Sequence, residues 1–184
     1  IYCKKNIWLT LCGTAPLPKA VQLSFEKKYN VKIHENYGLS ETLFISTKSP
    51  QNKISKEGVG KILPNIKIKI LDKYGKEVTR GKEGEIVIKT PYLTKNNHNK
   101  KSKKHSENWF ETGDIGKVDG ENLIITNRKK DIIIRGGINI SPANIENLFY
   151  KNRHILECAV IGIPDKFQGE KIVAVIRINE NKNF

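Results

Sequence analysis

The segment from Asn108 to Glu146 constrains the fold of this chain more than any other stretch. It contains two aliphatic runs, Leu123-Ile124-Ile125 and Ile132-Ile133-Ile134. The pairs Asp119-Gly120 and Gly136-Gly137 are typical of tight turns, because Gly and Asp tolerate left-handed backbone conformations. Short apolar runs bounded by such turns predict strands that pair with their neighbours in an antiparallel sheet.

Strand patterns also precede this segment. From Ile66 to Ile70 apolar and charged side chains alternate strictly, which is typical of a half-exposed strand. A turn at Asp72 to Gly75 and a second strand at Glu85 to Lys89 follow. We therefore expect residues 54–127 to form an antiparallel, barrel-like sheet.

The front of the chain mixes both kinds of secondary structure. The apolar run from Ile7 to Cys12 predicts a strand that ends at a proline-containing loop, since proline cannot donate to a sheet. Lys19 to Tyr29 predicts a helix, and Val31 to His34 predicts another strand. The polar residues 35–42 predict a loop. The fold class expected for the chain is mixed α/β of the α+β kind.

The rear of the chain predicts a small α+β unit that begins after Arg128. Ser141 can cap a helix whose first residue is Pro142, a position that proline favours. Strands are expected at 158–161 and 172–178. The apolar face of the helix is predicted to consist of Ile145, Leu148 and Phe149.

The formal net charge of +14 suggests a nucleic-acid partner. Lys and Arg are, however, spread along nearly the whole chain without interleaved aromatic side chains, whereas nucleic-acid sites concentrate both. The densest cluster, Lys95 to Lys104, predicts a solvated loop. We expect no nucleic-acid partner, and a basic, non-enzymatic RNA-binding protein remains the alternative from another class.

The remaining composition argues against several other kinds of protein. The three cysteines lack the paired spacing of a disulfide framework or a zinc site. No stretch reaches the roughly 18 apolar residues of a membrane span, and no secretory signal is visible. A cytoplasmic protein is therefore expected, unless a missing N-terminus carries a targeting signal. The sequence contains no Met, which indicates an internal fragment of a longer protein. The sequence does not indicate an oligomeric state.

Four short motifs follow one another along the chain. They are C-G-T-A-P-L at 12–17, Y-G-L-S-E at 37–41, T-G-D at 112–114 and R-K-K at 128–130. Taken as a series, they resemble the adenylate-forming superfamily, the acyl-CoA synthetases and their relatives, which activate a carboxylic acid with ATP. A further segment, G-E-I-V-I-K-T-P at 84–91, also resembles that family and has a structural role there.

The resemblance covers nearly the whole chain and implies two domains. Residues 1–127 correspond to the rear part of the large AMP-binding domain, and residues 128–184 to the hinge and a truncated small domain. Two parts of the family's machinery, the phosphate loop and the catalytic lysine, have no counterpart in this sequence. The isolated chain is therefore expected to be inactive.

The first group of implied site residues contacts the nucleotide. Tyr37 would stack on adenine, a contact worth about 1–3 kcal/mol in other base–aromatic stacks, and Asn36 would reach the adenine edge. Ser40 would contact a phosphate, and Glu41 would bind Mg²⁺, which prefers one or two carboxylates plus phosphate oxygens. Gly38 would let substrate pass close to the backbone.

A second group completes the nucleotide site. The small loop Thr14, Ala15 and Pro16 would lie flat against adenine, with Thr14 standing where the family often has Gly. Asp114 and Arg128 would grip the ribose, as acidic residues do in other nucleotide sites. The alternative for Asp114 is a carboxylate that caps its own turn, Thr112 to Asp114.

The last group concerns the acyl acceptor. Lys130 would be the hinge residue between an adenylating and a thioester-forming pose, and Gly137 would line the pantetheine tunnel of CoA. The implied reaction converts a fatty or aryl acid into acyl-AMP and then into acyl-CoA. The form R-G-G-I-N-I-S-P-A-N-I-E at 135–146 favours acyl- and aryl-CoA ligases. An enzyme that loads a carrier protein remains the alternative.

Overall fold

The computed structural model describes residues 6–50, 57–94 and 109–179. In these ranges the front of the chain forms one sheet and one helix, α1. The elements are β1 (Thr10–Cys12), α1 (Lys19–Tyr29), β2 (Ile33–Leu39), β3 (Leu43–Thr47), β4 (Lys61–Ile62), β5 (Lys67–Leu71), β6 (Gly84–Lys89), β7 (Phe110–Asp119) and β8 (Asn122–Arg128). The loop predicted at Lys95 to Lys104 lies outside the described residues.

The first sheet has the strand order β1-β2-β3-β4-β8-β7-β6-β5. Only the β1–β2 pair is parallel among the described strands, and the other neighbours are antiparallel. One hydrophobic core serves strands from both halves of this sheet, which therefore curls over on itself. Its buried members are Tyr37, Ile45, Ile66, Ile70, Ile86, Ile88 and Leu123. The predicted antiparallel character is confirmed, and β1 and β5 are the edges of the described sheet.

The rear of the chain forms a second, four-stranded antiparallel sheet with the order β10-β9-β12-β11. A single 3-10 turn, Lys129–Asp131, precedes it. Its elements are β9 (Ile133–Arg135), β10 (Ile138–Ile140), α2 (Pro142–Phe149), β11 (Ile155–Asp165) and β12 (Gly169–Ile178). The α+β character expected beyond Arg128 is confirmed, and the assignment of two domains stays a prediction.

Helix α1 has the bounds that the sequence predicted. Asn30 ends it in the left-handed conformation, with φ of 54°. The Glu26 carboxylate then ties the helix to β2, because it accepts hydrogen bonds from the Ile33 N–H at 3.1 Å and from Lys32 Nζ at 2.8 Å. In the described ranges, neither helix has the length and apolar character needed to cross a bilayer.

Helix α2 starts as predicted, since the Ser141 hydroxyl accepts a hydrogen bond from the Asn144 N–H at 3.3 Å and Pro142 is the first helical residue. The predicted apolar face of Ile145, Leu148 and Phe149 is only partly covered, since Leu148 is 62% exposed.

Two predictions were wrong. The residues expected to form a loop at 35–42 continue β2 to Leu39, and β3 begins at Leu43 after a short turn. Cross-strand pairing outweighed their polar, glycine-containing composition, as β propensity depends on neighbours. The Thr112 to Asp114 motif is not a turn but part of β7. The first predicted strand is also shorter than expected, because β1 begins at Thr10.

Candidate functional site

The candidate site is built around a cross-strand pair on β7 and β8. Asp114 lies opposite Arg128 in the ladder, and the Arg128 Nε atom donates a hydrogen bond to Asp114 Oδ1 at 3.1 Å. The two residues differ in burial, because the Asp114 side chain is 8% exposed and that of Arg128 is 47% exposed. The charge of the carboxylate is therefore held inside the protein while the guanidinium group faces solvent.

The threonine and glycine of the T-G-D motif orient Asp114. The Thr112 hydroxyl accepts a hydrogen bond from the Asp114 N–H at 3.1 Å and donates one to the Ile86 carbonyl at 2.7 Å. Between them, Gly113 has a φ of 72°, which side chains rarely tolerate. The β6–β7 register shifts nearby, between Glu85 and Val87, and such irregularities redirect side chains.

Tyr37 on β2 reaches the same carboxylate. Its hydroxyl group donates a hydrogen bond to Asp114 Oδ2 at 2.6 Å, and Tyr37 is only 9% exposed. Burial and the neighbouring Asp114 carboxylate both raise the pKa of the Tyr37 phenol above its usual range. The phenol therefore stays protonated as a donor at physiological pH. The curl of the sheet thus brings together Tyr37, which the sequence analysis assigned to adenine stacking, and Asp114, which it assigned to the ribose.

Gly38 is required by strand pairing. A Cβ atom at this position would lie 2.3 Å from the Leu43 carbonyl oxygen. The β2–β3 register shifts between Tyr37 and Gly38, so the close approach of backbone to backbone accounts for the glycine. A role for Gly38 in passing substrate stays a prediction.

The small loop after β1 lies beside Asn36. A Cβ atom at Gly13 would lie 2.2 Å from Asn36 Oδ1, so the loop and the amide are in close contact. Within the part of the chain that the structure describes, this Oδ1 atom is buried and has no hydrogen-bond partner. Thr14 has a φ of 80°, a conformation that suits glycine. Thr14, Ala15 and Pro16 are all exposed.

Ser40 and Glu41 lie in the turn between β2 and β3. Ser40 is exposed and Glu41 is half-buried. Thr94 fixes this turn, because its N–H donates to the Glu41 carbonyl at 2.8 Å and its hydroxyl donates to the same oxygen at 3.2 Å. Across the described ranges, no three His, Cys, Asp or Glu side chains cluster as a metal site. Glu41 would therefore supply a single carboxylate, which suits Mg²⁺ when phosphate oxygens complete its shell.

Lys130 and Gly137 follow Arg128 in the sequence, at the passage from the first sheet to the second. Lys130 belongs to the 3-10 turn after β8, and its neighbour Lys129 forms an ion pair with Glu85 at 2.6 Å. Gly137, with φ of 80°, is in the β9–β10 hairpin turn. A Cβ atom there would meet no atom within 4 Å. Backbone conformation thus explains this glycine, and the tunnel role stays a prediction.

Sequence reasoning missed two contacts of the site. The Tyr37–Asp114 hydrogen bond joins residues 77 positions apart, and no local pattern indicates it. The second is an ion pair beside Asn36, between Glu35 and Lys48 at 2.5 Å, in which the Lys48 side chain is 4% exposed. The apolar run Leu43-Phe44-Ile45, followed by the β-branched Thr47, could have indicated β3, and Lys48 directly follows this strand.

The sequence is similar to those of known enzymes. The profile described as "AMP-binding enzyme" matches residues 4–96. The chain is 40% identical over 177 residues to a putative acyl–CoA ligase, YdaB, of Bacillus subtilis, covering 93% of this chain and 35% of that protein. It is 35% identical over 181 residues to a long-chain-fatty-acid–CoA ligase of the same organism, covering 95% of this chain and 32% of that protein.

A solved structure has the same fold. ATP-bound MatB from Rhodopseudomonas palustris superposes with a TM-score of 0.87 at 31% identity, covering 96% of this chain and 36% of MatB. The chain thus spans about a third of the length of the proteins it matches.

Proposed function

Because the chain belongs to the family of AMP-binding enzymes, we propose that the protein containing it converts a carboxylic acid into a CoA thioester at the expense of ATP. In the first step a carboxylate oxygen attacks the α-phosphorus of ATP, and the acyl-AMP anhydride forms as pyrophosphate leaves. In the second step the CoA thiolate attacks the acyl carbon, and the thioester forms as AMP leaves. The substrate class we propose is a fatty or aryl acid.

The convergence of Tyr37, Asp114 and Arg128 is the observation that supports this proposal most. A carboxylate has about four acceptor positions, and these two neighbours use one on each oxygen. One position on each oxygen is left, which suits the paired hydroxyl groups of a ribose. Hydrogen bonds to a charged group contribute about 1.5–3 kcal/mol each, so two such bonds to the ribose would be a large part of the nucleotide affinity.

The adenine end of the proposed site combines the exposed loop Thr14, Ala15 and Pro16 with Asn36. The buried Oδ1 acceptor of Asn36 would match an exocyclic amino group, since a buried acceptor without a donor costs about 1–3 kcal/mol. The Tyr37 ring would stack through the small part of its surface that remains exposed.

Other residues would contact the phosphates and the acyl acceptor. Ser40 would donate its hydroxyl to a phosphate, and Glu41 would hold Mg²⁺, which neutralises phosphate charge when bound. Catalysis would then rest on alignment of the reactants and on charge neutralisation. Gly137 would contact the pantetheine arm of CoA after rotation about Lys130. The names of the relatives, both CoA ligases, favour CoA over a carrier protein as acceptor.

The direct test is ATP–pyrophosphate exchange by the intact protein that contains this chain, with short, medium, long and aromatic acids in parallel. Exchange with one class would support adenylation and identify the substrate class together. No exchange with any acid, from a folded protein that still binds ATP, would contradict the proposal. Acyl-AMP that accumulates and is not consumed by added CoA would instead favour a carrier-protein acceptor.

A further inference from the structure

Two side chains hold the Asp114 carboxylate from different directions. The Tyr37 hydroxyl donates to Oδ2 at 2.6 Å, and Arg128 Nε donates to Oδ1 at 3.1 Å. The first contact is buried, whereas Arg128 is half exposed and belongs to the strand next to Asp114. Because the Arg128 side chain is 47% exposed and Tyr37 is 9% exposed, the buried phenol has less room to move and is the stiffer constraint on the tilt of the carboxylate.

The position of the Tyr37 hydroxyl is itself fixed by backbone. The register shift between Tyr37 and Gly38 lies directly beside the buried tyrosine, and a Cβ atom at position 38 would clash with the Leu43 carbonyl oxygen at 2.3 Å, so the backbone here admits only glycine. On the other side, Thr112 holds the Asp114 N–H. Donor and acceptor therefore meet with both backbones constrained, which is the condition for preorganised recognition.

The phenol is also suited to its role by chemistry. Burial and the adjacent carboxylate raise its pKa, so it carries its proton at every pH at which nucleotide binding would be measured. With Tyr37 on one oxygen and Arg128 on the other, a single acceptor position per oxygen remains. A pair of neighbouring hydroxyl groups needs both positions at once, and a rotation of the carboxylate would misalign both.

From this geometry we propose that Tyr37 is a positioning residue for ribose recognition, its hydroxyl group orienting Asp114 to accept hydrogen bonds from both ribose hydroxyls. This inference rests on the proposed function as far as the ligand is a nucleotide. It differs from stacking of the Tyr37 ring on adenine, which would need the ring and not the hydroxyl group.

The test compares three nucleotides, ATP, 2′-deoxy-ATP and 3′-deoxy-ATP, by calorimetric titration of the intact protein without any acid. The wild-type protein should bind each deoxy analogue roughly tenfold or more weakly than ATP, the value of one hydrogen bond to a charged group. In Tyr37→Phe this discrimination should fall to about threefold or less. The matched control is Tyr74→Phe, which removes the same atom from an 82% exposed ring in the β5–β6 turn, and it should keep the wild-type ratio.

Two results would overturn the inference. One is a Tyr37→Phe protein that binds all three nucleotides more weakly by one common factor, or with unchanged affinity, because the ratio is then independent of the hydroxyl group. The other is a wild-type protein that binds the three nucleotides equally. If Tyr37→Phe does not fold, p-aminophenylalanine at position 37 keeps the ring and a para donor. It should retain the wild-type ratio, and loss of that ratio would count against the proposal.

The same titration separates this inference from the proposed function. A protein that discriminates among the nucleotides through Tyr37 but exchanges no pyrophosphate with any acid would leave the positioning role intact and remove the ligase activity. If the wild-type protein exchanges pyrophosphate normally but Tyr37→Phe keeps the ribose discrimination, the ligase activity stands and the positioning role of Tyr37 falls.

Discussion

The Asp114 carboxylate is 8% exposed and accepts hydrogen bonds from two different strands. Removing it would leave the Tyr37 hydroxyl buried without its acceptor and would free Arg128 to swing into solvent. An unsatisfied buried polar group costs about 1–3 kcal/mol. The Asp114 carboxylate would therefore stabilise the fold as well as bind the ribose, and a test by mutation has to distinguish the two effects.

We expect Asp114→Ala to weaken the use of ATP by roughly ten- to a hundredfold, because it removes charge-assisted hydrogen bonds to the ribose. The measurement is the ATP concentration dependence of pyrophosphate exchange by the intact protein. The control is Asp119→Ala, an exposed aspartate at the end of the same strand, which should leave that dependence unchanged. Unaltered apparent affinity in Asp114→Ala would refute the assignment and favour a carboxylate that only orders its own strand.

For single residues, the sequence offered candidates for the site but not the contacts between them. Asp114 and Arg128 follow from motifs, and their pairing across β7 and β8 depends on a local hairpin. The Tyr37–Asp114 bond depends on how a sheet curls, which is a non-local property. No spacing in the sequence encodes the distance between β2 and β7.

At the scale of single elements, the attachment of α1 to β2 depends on one carboxylate. Burial acts to raise the pKa of Glu26, but hydrogen bonds from Lys32, from the Ile33 N–H and from Gln22 outweigh it and leave this pKa below its usual value of 4.5. A depressed pKa in the folded state means that the ionised form stabilises the fold. This contribution is complete above about pH 4.5 and is lost as the pH falls through the folded-state pKa.

Glu26→Gln should therefore lower the free energy of unfolding by about 1 kcal/mol at pH 7. The difference from wild type should shrink below about pH 4.5, where the wild-type carboxyl also becomes neutral. Urea unfolding of the intact protein at pH 7 and at pH 3.5 would measure it, with Lys27→Ala on the exposed side of α1 as the control. A difference that does not depend on pH would show that the charge of Glu26 is not what stabilises the junction.

The β9–β10 hairpin carries the predicted CoA contact. Because Gly137 has a φ of 80°, a leucine there would strain the turn, and a loss of activity could not be separated from a loss of folding. Asparagine tolerates this conformation and still adds a side chain. We expect Gly137→Asn to slow thioester formation about tenfold or more while acyl-AMP formation stays normal, both followed in single turnovers.

Gly120→Asn is the matched control for this hairpin variant. Gly120 also has a positive φ, of 59°, and open space around a Cβ atom, but it lies in the β7–β8 turn. Both half-reactions should proceed normally in Gly120→Asn. Normal CoA turnover in Gly137→Asn as well would remove the proposed role of position 137 and leave it as a turn glycine.

The elements that the sequence predicted are those with local signals. Helix α2 has a capping serine and an initial proline, and the Asp72 turn is closed by a hydrogen bond from the Gly75 N–H to the Asp72 carbonyl at 3.0 Å. Residues 35–39 have no such local signal, since their strand conformation depends on pairing: Glu35 pairs with β1, and residues 36–39 pair with β3. Their polar and glycine-containing composition therefore indicated a loop.

At the scale of the whole molecule, the chain passes from the first sheet to the second through the 3-10 turn Lys129–Asp131. The ion pair between Lys129 and Glu85 ties this turn to β6, but the Lys129 side chain is 60% exposed. Exposed ion pairs contribute about 0–1 kcal/mol. The Lys129–Glu85 ion pair is therefore weak enough to break during a rotation of the second sheet, as a hinge requires.

Lys130→Pro tests that hinge, because proline fixes φ near −65° and prevents the residue from absorbing a change in backbone dihedral angle. We expect one half-reaction to keep its rate within about threefold while the other falls about tenfold or more, since only one of the two poses fits the fixed φ. Acyl-AMP formation would be measured by exchange, and thioester formation by adding CoA to preformed acyl-AMP.

The control for this variant is Lys166→Pro, the same substitution in the β11–β12 turn. There Asp165 Oδ1 accepts hydrogen bonds from the Phe167 and Gln168 N–H groups, so position 166 is the second residue of a turn, which proline favours. Both half-reactions should be normal in that protein. Equal loss of both half-reactions in Lys130→Pro would argue against a hinge. It would indicate that position 130 does not change conformation between the two half-reactions, so that the proline disturbs both in the same way.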